Sequence, residues 1–210
     1  LFVADVAAED TAAIVVEPVQ GEGGFILPSS GFLKGLRKVC DKHGILLIID
    51  EIQTGFGRTG EMFAIEHEGV APDLMTVGKS LGAGMPISGV VGKAQILDSA
   101  AAGAIGGTYG GNPMACAASL AVFDIFKEEK LVESARRLGK IVAGRFDSFR
   151  DRFSFVGDSR GLGAMRALEL VQDKKSKAPL SAKEIVVRCV GKGLVILKAG
   201  PNENVIRTLM

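Results

Sequence analysis

The sequence has no tryptophan, one tyrosine, two histidines and three cysteines among its 210 residues. Cys40, Cys116 and Cys189 are far apart, odd in number and in no CxxC pair. This pattern argues against a disulfide scaffold and indicates a reducing compartment. No partner of ligand type lies at a recognised metal-site spacing from His43 or His67, so we expect no metal site.

The sequence also lacks an excess of charge and a long apolar run. Its 25 Lys and Arg residues against 24 Asp and Glu give a formal charge of +1, which favours neither nucleic acid nor an acidic membrane surface as a partner. No apolar run reaches the roughly 18 residues that a membrane-spanning helix needs. The start, Leu1 to Asp5, has no basic region and no cleavage site of a secretion signal. We therefore expect a cytoplasmic protein.

What is present is a hydrophobic fraction of 47%, enough for a large core. Thr11 to Glu17 is predicted to be a strand buried on both faces, and Ile45 to Asp50 the next strand. A helix capped by Ser29 or Ser30 separates them, which predicts a parallel crossover. These elements indicate an α/β domain.

Later segments predict a mixed sheet and a second domain. Leu74 to Val77 and Ile87 to Gly92 are two strands with a short connection, so they should be antiparallel. Ala115 to Phe126 is predicted to be a largely buried helix. Charge rises at Lys127, so we place residues 1–127 in a large domain and 128–210 in a smaller α+β domain. In the latter, Ser181-x-x-Glu184 is predicted to open a helix as a capping box.

Asp50 and Lys79 are the residues that most suggest chemistry. Each follows an apolar strand, and ligands bind at the carboxyl ends of parallel strands. A lysine amine can form a Schiff base with an aldehyde cofactor, and a carboxylate can keep a ring nitrogen protonated. Either residue alone has an ordinary structural interpretation, as a solvated lysine or as an acid at a strand end.

Five motifs that occur together in one order favour the chemical interpretation of Asp50 and Lys79. They are EPVQGEGG at 17–24, DEIQTGFGRTG at 50–60, APD at 71–73, GKS at 78–80 and GTYGGNP at 107–113. Together they resemble the class III aminotransferases, which are pyridoxal-phosphate enzymes of fold type I. The resemblance extends from Ala12 to Leu209. It implies a mixed, mostly parallel sheet flanked by helices, with a smaller α+β domain at the C-terminus.

The resemblance also implies roles for individual residues. Lys79 matches the lysine that forms a Schiff base with pyridoxal phosphate and then moves a proton. Asp50 matches the acid that pairs with the pyridine nitrogen, and Gln53 matches the side chain near the phenolic oxygen. Thr108 matches a threonine that reaches the cofactor phosphate of the neighbouring subunit, which implies a homodimer.

Two further residues are implied to bind substrate. Arg207 matches the arginine that binds a substrate carboxylate, and Glu17 matches the acid that pairs with it when a one-carboxylate amine is bound. The implied reaction moves the amino group of an ω-amino acid, with 4-aminobutyrate as first choice, to 2-oxoglutarate. Amine donors such as acetylornithine, ornithine, putrescine or β-alanine, an aminomutase, and a non-catalytic scaffold fragment remain alternatives.

The sequence also departs from the family. Members are considerably longer, and their phosphate-binding turn, ring-stacking aromatic residue and second carboxylate-binding arginine would precede Leu1. We therefore expect a partial chain that lacks the N-terminal portion. Without these residues, we expect the isolated chain to keep the lysine and the acid but to hold the cofactor poorly.

Overall fold

The structure is a computed structural model that describes residues 5–209. Residues 1–4 and residue 210 lie outside the described residues. The chain divides into two compact units, the first formed by residues 5–18, 28–56 and 63–130 and the second by 19–27, 57–62 and 131–209. The predicted boundary after residue 127 is close to the change of unit after Lys130. The charge pattern does not mark the two earlier segments that belong to the second unit.

The first unit contains a four-stranded mixed sheet. Its strands are β1 (Ala13–Val16), β2 (Leu46–Asp50), β3 (Leu74–Val77) and β4 (Gly89–Gly92), in the spatial order β1-β2-β3-β4. β2 is parallel to both β1 and β3, whereas β4 is antiparallel to β3. The predicted parallel crossover and the predicted antiparallel turn are both confirmed.

Three α-helices accompany this sheet: α1 (Phe32–His43), α2 (Ala94–Leu97) and α3 (Pro113–Glu128). Short 3-10 helices occupy Ala8–Asp10, Ala64–Glu68 and Lys79–Gly82. The core between α1 and β2 consists of buried apolar side chains: Leu33, Cys40, Ile45, Leu47, Ile49 and Ile65. Burial of these side chains, at about 1.5–3 kcal/mol for each large one, fixes the position of β2.

Three expectations about the first unit are wrong. Neither Ser29 nor Ser30 caps α1, because Gly31 in the left-handed conformation (φ 79°) precedes the helix without a side-chain cap. β1 is not buried on both faces, since it is an edge strand among the described residues and Val15 is 63% exposed. α3 is not largely buried, because its apolar residues surround the helix and Leu120 is 68% exposed.

The second unit contains an antiparallel sheet and two helices. The strands β5 (Val156–Leu162), β6 (Met165–Leu170), β7 (Leu197–Ala199) and β8 (Val205–Leu209) have the spatial order β5-β6-β8-β7. The helices are α4 (Leu131–Arg152) and α5 (Lys183–Val190). This is the α+β unit that the sequence predicted.

Two local details of the second unit are informative. The predicted capping box is wrong, since Ala182 precedes α5 without a side-chain cap, although the Ser181 hydroxyl accepts the Lys183 N–H at 3.3 Å. Gly139 on α4 lies so close to Gly163 that an added Cβ would overlap the Gly163 carbonyl. The glycines therefore permit close packing of α4 on the β5–β6 turn.

Among residues 5–209, no helix combines the length and the apolarity needed to cross a bilayer.

Candidate active site

Asp50 and Lys79 lie at the same edge of the first unit's sheet. Asp50 is the last residue of β2 and is in register with Thr76 on the parallel strand β3. Lys79 follows β3 after Val77 and Gly78. The strands thus bring both residues to the carboxyl edge, as the apolar pattern predicted.

The Asp50 carboxylate is held in a defined orientation. Its Oδ1 atom accepts the Ile52 N–H at 2.9 Å and the Thr76 hydroxyl at 3.0 Å. Within residues 5–209, no hydrogen bond is recorded to Oδ2. The side chain is half-buried. A fixed carboxylate with one oxygen available is a suitable acceptor for the N–H of a protonated pyridine ring, so this residue fits pyridoxal phosphate.

Lys79 has a strained backbone and an available amine. Its φ is 44°, the left-handed region that a residue with a Cβ rarely occupies, and it begins a 3-10 helix. Such conformations are disfavoured by about 1–2 kcal/mol and cluster at functional sites. The side chain is exposed, and its amine has no ion pair or hydrogen bond among the described residues. An amine in this state fits Schiff-base formation with an aldehyde.

Gln53 lies in the loop that follows β2 and is half-buried. Glu51, two residues before Gln53, was not predicted to have a role and is fully buried. The Glu51 carboxylate accepts the Thr54 hydroxyl, the Ala64 N–H at 3.0 Å and the Ile65 N–H at 2.8 Å. Glu51 thereby fastens the Gln53 loop to the 3-10 helix at Ala64–Glu68.

Burial raises the pKa of Glu51, while the hydrogen bonds from Thr54, Ile65 and Ala64 oppose that rise. The adjacent acids Asp50 and Glu51 therefore have different environments. Asp50 is half-buried with an available oxygen, whereas Glu51 is enclosed and fully bonded. The difference arises after the end of β2, where Thr54, Ala64 and Ile65 surround the Glu51 carboxylate and donate hydrogen bonds to it.

A second buried acid, Asp73, precedes β3. Lys93 donates to its Oδ1 at 2.5 Å, and Oδ2 accepts Arg37 at 2.7 Å and the Leu47 N–H at 2.8 Å. Burial opposes ionisation of Asp73, but these bonds outweigh it and lower its pKa from 3.8 to about 2. No local pattern in the sequence marks these contacts of Asp73, because Arg37, Leu47 and Lys93 are distant from it in sequence.

Thr108 lies in the loop between α2 and α3, where every residue from 97 to 111 is exposed. The neighbouring Tyr109 is 85% exposed. Asn112 ends this loop and caps α3 as predicted, with its side chain accepting the N–H groups of Met114 and Ala115. The predicted contact of Thr108 with a second subunit stays a prediction.

Arg207, in the second unit, is on β8 and only 7% exposed. Its Nη1 and Nη2 atoms donate to Glu22 Oε1 at 2.7 Å and Oε2 at 3.1 Å, a bidentate pair. Its guanidinium also lies 5.8 Å from the centroid of the Phe25 ring. This arrangement is suited to a planar carboxylate.

The carboxylate paired with Arg207 in the structure thus belongs to Glu22. The resemblance assigned that role to Glu17, which follows β1 and belongs to the first unit. Glu22 stands in the same glycine-rich motif, and the motif alone gives no means to choose between the two acids. The role of Glu17 stays a prediction.

No group of three or more His, Cys, Asp and Glu side chains suited to a metal ion occurs among residues 5–209.

In the first unit, an acid and an exposed lysine stand together at the carboxyl edge of an α/β sheet, which is an arrangement expected of an aminotransferase. A profile of the family Aminotransferase class-III matches residues 2–210, and the chain belongs to this family. The predicted family and fold class are therefore confirmed.

Two curated relatives share about 50% sequence identity with this chain. A probable 4-aminobutyrate aminotransferase of Bacillus subtilis is 51% identical over 99% of this chain and 48% of its own length. A 5-aminovalerate aminotransferase of Pseudomonas aeruginosa is 50% identical over 100% of this chain and 50% of its own length. The chain thus spans about half the length of these relatives.

A solved structure supports the same assignment. The PLP-bound amine transaminase of an uncultivated Pseudomonas species superposes with a TM-score of 0.89 at 38% identity, over 97% of this chain and 48% of that one.

Proposed function

We propose that this chain supplies the reactive lysine of a pyridoxal-phosphate aminotransferase. The reaction moves the amino group of an ω-amino acid, 4-aminobutyrate first, to 2-oxoglutarate, which gives succinate semialdehyde and glutamate. The observation that carries the proposal is the placement of Asp50 and Lys79 at one sheet edge in a chain about 50% identical to ω-amino acid aminotransferases.

The cofactor residues of the proposal are Lys79, Asp50 and Gln53. When bound, pyridoxal phosphate supplies an electron sink for the carbanion at the amine-bearing carbon. Asp50 Oδ2 would accept the N–H of the cofactor's ring, while Thr76 and Ile52 keep the carboxylate oriented through Oδ1. Lys79 Nζ would accept the proton from the amine-bearing carbon of the substrate and would then donate it to complete the proton transfer. The Gln53 side chain would lie near the phenolic oxygen of the cofactor.

The substrate residues of the proposal are Arg207 and Glu22. A one-carboxylate amine leaves Arg207 without a substrate partner at its guanidinium, and the bidentate pair with Glu22 then neutralises the buried cation. With 2-oxoglutarate, a substrate carboxylate replaces Glu22 at Arg207. The Glu22 side chain is 75% exposed, so it has space in which to turn away. One site thereby accepts both substrates.

A homodimer is also part of the proposal, with Thr108 reaching the cofactor phosphate of the neighbouring subunit. Its support is the exposure of the Thr108 loop, which includes the apolar residues Ile105 and Tyr109. Exposed apolar surface of this kind favours burial against a partner. We further propose a cytoplasmic setting, supported by three cysteines that are all free thiols.

A second candidate donor is 5-aminovalerate, favoured by the 50% identity to the Pseudomonas aeruginosa enzyme. This donor has one more methylene group than 4-aminobutyrate. Because one methylene in a pocket changes binding by about 1–3 kcal/mol, the two donors should differ measurably in kcat/KM. The other ω-amine donors, the aminomutase and a non-catalytic scaffold remain alternatives.

The test compares amine donors with 2-oxoglutarate in the longest native protein that contains residues 1–210. We expect the highest kcat/KM for 4-aminobutyrate or 5-aminovalerate, with ornithine and β-alanine lower. Absence of turnover with every ω-amino acid in a folded, cofactor-loaded protein contradicts the proposal and favours the scaffold alternative.

A matched pair of variants tests the choice of acid. Glu22→Gln is expected to raise the KM for the ω-amino acid and to leave that for 2-oxoglutarate unchanged or lower. Glu17→Gln keeps the pair between Arg207 and Glu22, so a smaller change is expected. A larger change of this KM in Glu17→Gln than in Glu22→Gln would indicate that Glu17 is the acid that pairs with Arg207, as the resemblance implies.

A further inference from the structure

The loop that presents Glu22 to Arg207 is closed on itself. Gln20 N–H donates to the Ile26 carbonyl at 3.0 Å, and Ile26 N–H donates to the Gln20 carbonyl at 3.2 Å. Inside this bridge, Gly24 N–H donates to the Gly21 carbonyl at 3.1 Å. These bonds define the turn, but they do not fix it to the sheet that contains Arg207.

In addition to the buried Phe25 side chain and the Arg207 Nη1 bond to the Gly21 carbonyl at 3.5 Å, two contacts to backbone atoms hold the loop against the rest of the second unit. Gly200 N–H donates to the Glu22 carbonyl at 2.9 Å, and Arg160 Nε donates to the Gly24 carbonyl at 2.9 Å. Gly24 has a φ of 110°, and a Cβ there would lie 3.0 Å from Val205 and 3.2 Å from Arg160. The loop backbone therefore lies directly against both side chains.

Arg160 is itself held in place by two carboxylates. Its Nη1 atom donates to Asp158 at 2.9 Å and to Glu169 at 2.5 Å, and its side chain is only 14% exposed. These acids orient the guanidinium so that Nε points at the Gly24 carbonyl. They also neutralise the Arg160 charge, so Arg160 does not compete with Arg207 for the Glu22 carboxylate.

We propose that Arg160 is a positioning residue that sets the preference between the two substrates, an inference that rests on the proposed function. Arg160 holds the Gly21–Phe25 backbone still while the Glu22 side chain turns toward Arg207 or away from it. A bidentate pair needs both oxygens within hydrogen-bond distance at once, so a small shift of the loop weakens it.

The two substrates respond differently to such a shift. A one-carboxylate amine needs Glu22 to neutralise Arg207, so its binding weakens when the loop moves. 2-Oxoglutarate brings its own carboxylate and competes with Glu22, so its binding is unchanged or improved. General damage to the fold weakens the binding of both substrates.

The test uses Arg160→Lys in the longest native protein that contains residues 1–210. The lysine ammonium still reaches the carboxylates of Asp158 and Glu169, but lysine has no second nitrogen for the Gly24 carbonyl. We expect about a fivefold rise in the KM for the ω-amino acid, the size of one lost hydrogen bond. The KM for 2-oxoglutarate should stay the same or fall. Arg160→Gln, which also loses the cation, should show the same split.

Arg166→Lys is the matched control. Arg166 Nε donates to the Gly163 carbonyl at 3.0 Å, so this variant loses the same kind of bond at a different turn. Both KM values should stay near those of the wild type. Equal rises in both KM values in Arg160→Lys, or no change in either, overturn the inference.

Failure of the proposed function gives a different result, namely a wild-type protein that uses no ω-amino acid. Hydrogen exchange of the cofactor-free protein then decides the inference. Exchange at the Gly24 and Phe25 amides should be about fivefold faster in Arg160→Lys than in the wild type or in Arg166→Lys. Equal exchange in all three proteins overturns the anchoring role of Arg160.

Discussion

The two units position their functional residues by different means. In the first unit, Asp50 and Lys79 follow neighbouring parallel strands, so the backbone ladder alone brings them to one edge. In the second unit, Arg207 meets Glu22 across 185 residues of sequence through side-chain contacts and a closed loop. The positions of residues that follow strands can be predicted from the sequence. The positions of residues held by loops and side-chain contacts depend on the fold of the whole unit.

The largest expected effect comes from replacing Lys79, whose position is set by the strands of the first unit. Lys79→Ala removes the amine that moves the proton, so we expect kcat to fall by roughly 10⁴-fold. The visible absorption band of the lysine-bound cofactor should also disappear. Lys34→Ala on the exposed face of α1 is the control and should change neither. Retained turnover in Lys79→Ala would show that the lysine of the first unit does not take part in the reaction.

Replacing Arg207, whose position depends on side-chain contacts in the second unit, should change the KM for 2-oxoglutarate. Arg207→Gln deletes the cation and the bidentate geometry, so the KM for 2-oxoglutarate should rise roughly 10²-fold, as for other buried charge pairs. Steady-state kinetics at saturating donor measures this change. A fall in kcat with an unchanged KM would show that Arg207 does not bind the acceptor.

Stability should depend on the buried acid that holds the Gln53 loop. Glu51→Gln turns one acceptor oxygen into an amide donor that faces other donors, so we expect a loss of about 3 kcal/mol in the free energy of unfolding. Urea denaturation gives this value. Glu66→Gln removes a charge from an exposed acid bonded to the Phe63 N–H, and it should cost under about 0.5 kcal/mol.

The smallest effect concerns pH. The pKa of Asp73 is lowered from 3.8 to about 2, so its ionised form favours the folded state above pH ~4, and this stabilisation is lost as the pH falls toward 2. Asp73→Asn should therefore lower the unfolding free energy by about 2 kcal/mol at neutral pH, and by progressively less below pH ~4.

Asp41→Asn is the control for that series. Asp41 also pairs with Arg37, at 2.8 Å, but its side chain is 65% exposed. Exposed pairs contribute about 0–1 kcal/mol, so this variant should lie close to the wild type at every pH. A pH-independent difference between Asp73→Asn and the wild type would show that Asp73 acts only through packing.

The sequence predicted most of the first unit, because its signals are local. Apolar β-branched runs marked β2 and β3, and the residues after them marked the sheet edge. The buried environment of Glu51 was not predicted, because nothing in the Asp50–Glu51 dipeptide indicates which of the two acids is buried. The exposure of α3 was also missed, because composition shows that a helix is apolar but not what covers it.

The acid of the second unit shows the limit most clearly. Glu17 and Glu22 stand five positions apart in one motif, and both are followed by small or conformationally special residues. In the structure, Glu22 reaches Arg207 from a loop in which Phe25 has the left-handed conformation (φ 55°) and the Gly24 carbonyl accepts a hydrogen bond from Arg160. Contacts over more than a hundred residues leave no periodic signal in the sequence.

The most direct test of the account is the site of covalent attachment. Pyridoxal phosphate is added to the longest native protein that contains residues 1–210, the adduct is fixed with borohydride, and the peptides are mapped by mass spectrometry. The account predicts a pyridoxyl group on Lys79, and its loss in Lys79→Ala. Labelling of a different lysine, or no stoichiometric label in a folded protein, would contradict it.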